Sequence, residues 1–224
     1  MKNFLPLLIA GILVFGGLQA VASPLALVNE SLSTSCDELD QEQPGWHNYA
    51  FVGNFDDENW EIAQSFVPSK EILTRVELYI IKGIAASYPY VVAIRDCLTG
   101  KNLVETSISP QDIPNERGWV EFDFDDIPVI PGHLYYIVSS TTDSEGNYYF
   151  WGVGIFDPYS SGTLFYSSDG GETWTEEEEG YDMSFKTYGK DRLDLDPLIK
   201  GGNGVNLVIE NIVSTTAEKN QVFN

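Results

Sequence analysis

The sequence predicts an all-β fold, an antiparallel β-sandwich of jelly-roll type, and three observations carry that expectation. Apolar side chains recur at every second position in a series of short runs, the period of a strand with one buried face. Clusters of Gly, Pro, Asn and Asp interrupt those runs at close spacing: Thr99-Gly100-Lys101-Asn102, Ser144-Glu145-Gly146-Asn147, Asp157-Pro158 and Asp169-Gly170-Gly171. No long segment repeats its apolar residues with the helical period. Many short strands with tight turns at Greek-key length describe two packed sheets.

The chain opens with Lys2, the apolar run Phe4–Phe15 and the small-residue pattern Ala20-Val21-Ala22. A charged start, an apolar middle and an A-x-A-like site read as a secretory signal peptide over residues 1–22, cleaved to leave Ser23. The expected location is therefore secreted or cell-surface. No second apolar stretch of about 18 residues follows, so no membrane insertion is expected after cleavage. Residues 23–45 are polar and read as a flexible N-terminal arm. Asn29-Glu30-Ser31 within it is a glycosylation sequon.

The β-sandwich is expected over residues 46–190. Ala63-Gln64-Ser65-Phe66-Val67 opens it. Val76, Leu78 and Ile80 alternate with Glu77 and Tyr79, and Val91-Val92-Ala93-Ile94 reads as a strand buried on both faces. Val120, Phe122 and Phe124 alternate with Glu121 and Asp123, which turns the acids to water. Leu134–Val138 follows the Pro131-Gly132 turn, and Tyr148–Trp151 and Met183–Tyr188 supply later strands. Residues 191–224 read as a linker and a C-terminal strand, in which Val205, Leu207 and Ile209 alternate.

Charge narrows the function classes. With 34 acidic against 12 basic residues, the formal net charge is −22. A phosphate-tracking surface needs clustered Lys and Arg, so nucleic acid and anionic membranes are excluded as expected partners. Disorder is not implied, because 43% of residues are hydrophobic and 13% aromatic, enough for a core.

Catalytic signatures are absent. The two histidines, His47 and His133, sit in no H-E-x-x-H or nucleophile-elbow motif, and no C-x-x-C or phosphate-cradling loop occurs. A non-catalytic protein is expected. A secreted glycoside-active enzyme, which needs two facing carboxylates, is the enzyme alternative.

Four sets of residues are candidates for special roles. Ser167-Ser168-Asp169-Gly170-Gly171-Glu172-Thr173-Trp174 matches the S-x-D-x-G-x-T-W Asp-box pattern of sialidase-type propellers and other secreted β proteins. Ser167, Asp169, Gly171 and Trp174 are expected to form a structural turn. Cys36 and Cys97 are a candidate disulfide, because an oxidising compartment favours pairing. Asp56, Asp57 and Glu58 offer hard oxygen ligands for a structural Ca²⁺; no cofactor is required. Aromatics near turns and strand starts are the ligand-binding candidates: Trp46, Trp60, Tyr148, Phe150 and Tyr159. In Tyr148-Tyr149-Phe150-Trp151 alternate side chains must point to opposite faces. Either Tyr149 and Trp151 are inside with Tyr148 and Phe150 outside, or the reverse.

The succession Ala63-Gln64-Ser65-Phe66, Leu73–Leu78, Ile94-Arg95-Asp96, Trp119–Phe122, Pro131–Val138, Tyr149–Gly152 and Trp174…Asp182-Met183-Ser184-Phe185 resembles choice-of-anchor-type exported β-sandwich domains of prokaryotic surface proteins. The order and spacing over residues 60–189 carry the likeness. The segment Gly201–Asn211 resembles the opening of an Ig-like surface module. The resemblance implies a non-catalytic module that binds carbohydrate or another surface component, or one that is purely structural. It brings no catalytic residues with it.

Overall fold

The computed structural model describes residues 36–192. The expected signal peptide, the sequon and the C-terminal strand lie outside the described residues. The described chain contains no helix. It runs β1 (Glu38–Gln43), β2 (Asn48–Phe55), β3 (Glu58–Phe66), β4 (Ile72–Lys82), β5 (Tyr90–Arg95), β6 (Val104–Ile108), β7 (Gly118–Pro128), β8 (Tyr135–Thr141), β9 (Tyr148–Gly154), β10 (Leu164–Ser167), β11 (Thr175–Glu176), β12 (Asp182–Met183) and β13 (Phe185–Lys190). Every named strand pair is antiparallel, and the architecture is an all-β, sandwich-like fold.

The strands form two sheets joined through β3. In the first, β4 pairs with β7 on one side and with β13 and β9 on the other; β1 flanks β13, and β2 flanks β9. In the second, the order is β10, β3, β8, β5, β6. Strand β3 belongs to both, because Glu58–Trp60 pair with β2 while Ile62–Phe66 pair with β8.

The alternation in the sequence becomes the inside of this sandwich. Val76, Leu78 and Ile80 are fully buried, as are Phe122, Ile94 and Ile137. Trp151 and Tyr149 face inward, so Tyr148 and Phe150 face outward. Both inward rings satisfy their polar tips: Trp151 Nε1 donates to the Ser184 carbonyl at 2.8 Å, and the Tyr149 hydroxyl donates to the Tyr88 carbonyl at 2.5 Å.

Residues 38–43, expected in a flexible arm, form strand β1 against β13. The run Glu-Leu-Asp-Gln-Glu-Gln has no apolar alternation, so the period-2 signal misses it. Polar anchors hold it instead. The Gln41 amide donates to Thr187 Oγ1, and Asp37 is ion-paired with Arg75. The buried Gln43 side chain donates to the Gly45 carbonyl and accepts from the Gly45 amide.

The structure shows no bridge between the candidate pair Cys36 and Cys97. Cys97, in the turn after β5, is an exposed thiol 3.8 Å from Thr99 Oγ1, and Cys36 lies ahead of β1. The two cysteines thus flank strands of different sheets.

Candidate functional site

The outer face of the first sheet carries a continuous row of aromatic rings. Alternation on β2 turns Tyr49, Phe51 and Phe55 outward, and the register sets Phe51 opposite Phe150 and Tyr79 on β4 opposite Trp119 on β7. Phe55 stacks on Phe51 with centroids 3.7 Å apart, and Phe51 meets both Tyr148 and Phe150. Phe150 meets Tyr49 edge-on at 6.0 Å, and Tyr49 lies 5.7 Å from Trp46. Trp46 stacks on Tyr79 at 5.5 Å, and Tyr79 reaches Trp119 at 5.4 Å. Trp46 is 38% exposed and the other rings are half-buried.

Trp46 precedes β2 and lies over the sheet because Gly152 leaves room beneath it. A Cβ at Gly152 would sit 3.0 Å from the Tyr79 ring, 3.1 Å from Ser184 Oγ and 3.3 Å from the Trp46 Cβ. Gly152→Val is therefore expected to lift Trp46 off Tyr79. Quenching of tryptophan fluorescence by acrylamide should rise while the far-UV circular dichroism is kept; unchanged quenching would show that Gly152 does not seat the ring.

Two cations lie on this row. The Arg117 guanidinium is 4.9 Å from the Trp46 ring centroid and 4.8 Å from that of Tyr49. Lys186 Nζ is 4.1 Å from the Trp119 centroid and also pairs with Glu77 at 2.8 Å. Burial acts to raise the Glu77 pKa, but hydrogen bonds from Lys186 and Tyr188 prevail and hold it below the usual carboxylate value. Arg117 is exposed and makes no ion pair among the described residues. Its N–H groups therefore remain available beside two aromatic faces. Burial raises the pKa of Tyr49, against the opposing pull of Arg117, and the buried Tyr49 hydroxyl has no hydrogen-bond partner among the described residues.

The loop joining β6 to β7 supplies Arg117. Buried Ile113 anchors that loop in the core, and Lys82 Nζ donates to its Pro110 carbonyl at 2.9 Å. A shallow depression of ≈ 390 Å³ lies against it, lined by Ile81, Asn115, Glu116 and Arg117. Ile81 is opposite Phe150 in the register, so this depression borders the aromatic row. On its other side the loop borders a groove of ≈ 580 Å³ that includes Ser107, Ser109, Asp112, Trp119 and Glu121. Rings, amide, carboxylate and guanidinium thus share one surface, a combination able to stack on a flat apolar face and exchange hydrogen bonds at its edge.

The five ligand-binding candidates divide three ways. Trp46, Tyr148 and Phe150 are in the row. Trp60 instead lines, with Tyr166, a cleft that adjoins the row at Tyr49 and Phe51. Tyr159 is a core residue: its ring packs edge-on against Phe185 at 5.1 Å, and its hydroxyl donates to Gln41 and accepts from the Val67 amide. Its place after the Asp157-Pro158 turn suggested exposure, but it folds back under the sheet. Arg117 was not among the candidates, since nothing local in Glu116-Arg117-Gly118 announces which rings a cation will meet.

Asp56 and Asp57 form a tight hairpin turn. Phe55 pairs with Glu58, which leaves a two-residue loop, and both aspartates have positive φ, 58° and 65°. That is the type I′ geometry that Asp tolerates. Among the described residues no three His, Cys, Asp or Glu side chains are placed to hold a metal ion.

The Asp-box residues form the turn between β10 and β11. Ser167 Oγ donates to Asp169 Oδ1 at 2.6 Å and accepts from the Gly171 amide at 2.8 Å. Asp169 accepts from the Thr173 amide at 2.9 Å and the Thr173 hydroxyl at 2.6 Å. Gly170, at φ 71°, donates to the Asn59 carbonyl at 2.9 Å and ties the turn to β3. Trp174 is half-buried. The hydrogen bonds from Ser167 and Thr173 hold the Asp169 pKa down to about 2, from an ordinary 3.8. A depressed pKa contributes stability that is present above 3.8 and lost as pH falls toward 2. Asp169→Asn should therefore lower the urea midpoint most above pH 3.8, and the gap from wild type should close as pH approaches 2. A gap independent of pH would contradict an ionised Asp169 as the organiser of the turn.

No protein-family model matches the chain, and no curated protein is significantly similar to it in sequence.

Proposed function

We propose that this protein is a non-catalytic binding module, exported or displayed at a cell surface, that takes glycan chains on the outer aromatic face of its first sheet. The observation that carries the reading is the placement of Arg117 over Trp46 and Tyr49, inside an unbroken row of half-exposed rings. The apolar face of a sugar stacks on an aromatic ring, while its hydroxyls need donors and acceptors at the ring edge. Arg117 offers donors, and Asn115 and Glu116 offer acceptors in the adjoining depression.

The leader-like N-terminus supports export, and the acidic composition suits solubility outside the cell. A loop anchored by Ile113 keeps Arg117 in place before a ligand arrives, which lowers the ordering cost of binding. The test is a glycan array on the protein lacking residues 1–22, with and without Ca²⁺. Binding to a defined set of saccharides is expected. Silence across the array in both conditions would remove the glycan reading and leave a structural surface module in its place.

A further inference from the structure

A second concavity adjoins the aromatic row, sharing Tyr49 and Phe51 with it, and its chemistry is different. It is a cleft of ≈ 400 Å³, within the range of small-ligand sites. Ile62 and Leu164, both buried, supply apolar lining. Trp60, Tyr166 and Tyr181 supply aromatic walls, with the Trp60 and Tyr166 rings 6.2 Å apart and inclined at 43°. Asn48 and Glu177 complete the polar lining.

Three features converge on the charge of the occupant. Among the described residues no Lys, Arg or His lines the cleft, and Glu177 is the one carboxylate that does. Of the cleft's five rings, Tyr49, shared with the row, carries Arg117 on its face; among the described residues no cation sits on Phe51, Trp60, Tyr166 or Tyr181. The neighbouring Glu176, Glu178 and Glu179 add negative potential around a low-dielectric concavity, which raises the local concentration of cations. Glu179, accepting a hydrogen bond from the Tyr181 hydroxyl, then burial, then Glu177 push the Tyr181 pKa up.

We propose that this cleft binds a quaternary ammonium group. The aromatic faces of Trp60, Tyr166 and Tyr181 attract the charge, Glu177 balances it, and the methyl groups rest on Ile62 and Leu164. A primary ammonium fits less well, because it carries three N–H donors into a site with few acceptors. A neutral sugar gains nothing from Glu177 and the acidic rim as charges.

The test is calorimetric titration of the full chain with choline chloride, at constant ionic strength, against the uncharged isostere 3,3-dimethyl-1-butanol. Choline is expected to bind about 30-fold more tightly than the isostere, the factor that corresponds to a desolvated cation–π contact. Trp60→Ala and, independently, Tyr181→Ala should each abolish the difference, and Glu177→Gln should weaken choline several-fold. The variants should leave saccharide binding at Trp46 intact. Phosphatidylcholine vesicles distinguish the source of the group. Co-sedimentation assigns a lipid headgroup, and choline binding without co-sedimentation assigns a free small molecule. Equal affinity for choline and its isostere, no binding of choline, or choline binding that survives both aromatic truncations would overturn the proposal.

Discussion

Replacing Asp182 with Ala is expected to cost about 2–6 kcal/mol of folding stability, because it orphans two buried donors at ~1–3 kcal/mol each. Asp182 is 1% exposed on β12. Its Oδ1 accepts from Gln64 Nε2 at 2.9 Å, and its Oδ2 accepts from the Tyr159 amide at 3.0 Å. Gln64 is fully buried and in turn accepts from the Met183 amide at 2.7 Å, so one side-chain pair fastens β12 of the first sheet to β3 of the second. Loss of that fastener in a chain whose total stability is on the order of 5–15 kcal/mol should be visible as a large drop in the urea midpoint. A drop too small to resolve would mean that water replaces the carboxylate without loss.

The same residue gives a pH signature opposite to that of Asp169. Burial raises the Asp182 pKa above its ordinary 3.8, with the hydrogen bonds from Gln64 and Tyr159 opposing it and Asp157 adding to it. A raised carboxyl pKa means that the fold favours the protonated form. Its contribution is present below 3.8 and is lost as pH rises through the folded value. The penalty of Asp182→Asn should therefore be greatest below pH 3.8 and shrink above it, whereas the penalty of Asp169→Asn grows over the window from about 2 to 3.8.

The contrast between these two aspartates also shows how far local sequence reaches. The Asp-box is legible because the partners of Asp169 lie within a few residues of it, so the order of Ser167, Asp169 and Thr173 along the chain already describes a turn. Asp182 meets a partner 118 residues away, and nothing in Asp182-Met183-Ser184-Phe185 says so. Strand alternation was legible wherever one face is buried, as at Val76, Leu78 and Ile80. It left Tyr148–Trp151 undecided, because four consecutive aromatics satisfy either parity, and only the pairing of Phe150 with Phe51 fixes which face they take. Strand β1 was invisible for the complementary reason: its pairing is held by polar groups. Asp56 and Asp57 were legible only as carboxylates offering oxygen ligands; that they also make a two-residue turn shows in their positive φ.

At the aromatic face, Trp46→Ala is expected to reduce saccharide affinity about 30-fold, the factor that corresponds to ~2 kcal/mol for a central aromatic anchor. Folding should change little, since Trp46 is the most exposed ring of the row and precedes β2 rather than standing in the core. Arg117→Ala should weaken the same saccharide by a smaller factor. Arg117→Lys should not restore it fully, because a point charge cannot lie flat over Trp46 and Tyr49 while presenting a planar fork of donors. The salt dependence of wild-type binding then sorts the ligand. A neutral glycan held by stacking and hydrogen bonds should bind equally at low and high ionic strength. An acidic one drawn to Arg117, against the repulsion of a chain with net charge −22, should weaken as salt rises if the local cation dominates, and tighten if the global charge does. Trp60→Ala, in the adjoining cleft and outside the row of rings, is the internal control. If it lowers saccharide affinity as much as Trp46→Ala does, the outer face of the first sheet is not where the sugar rests.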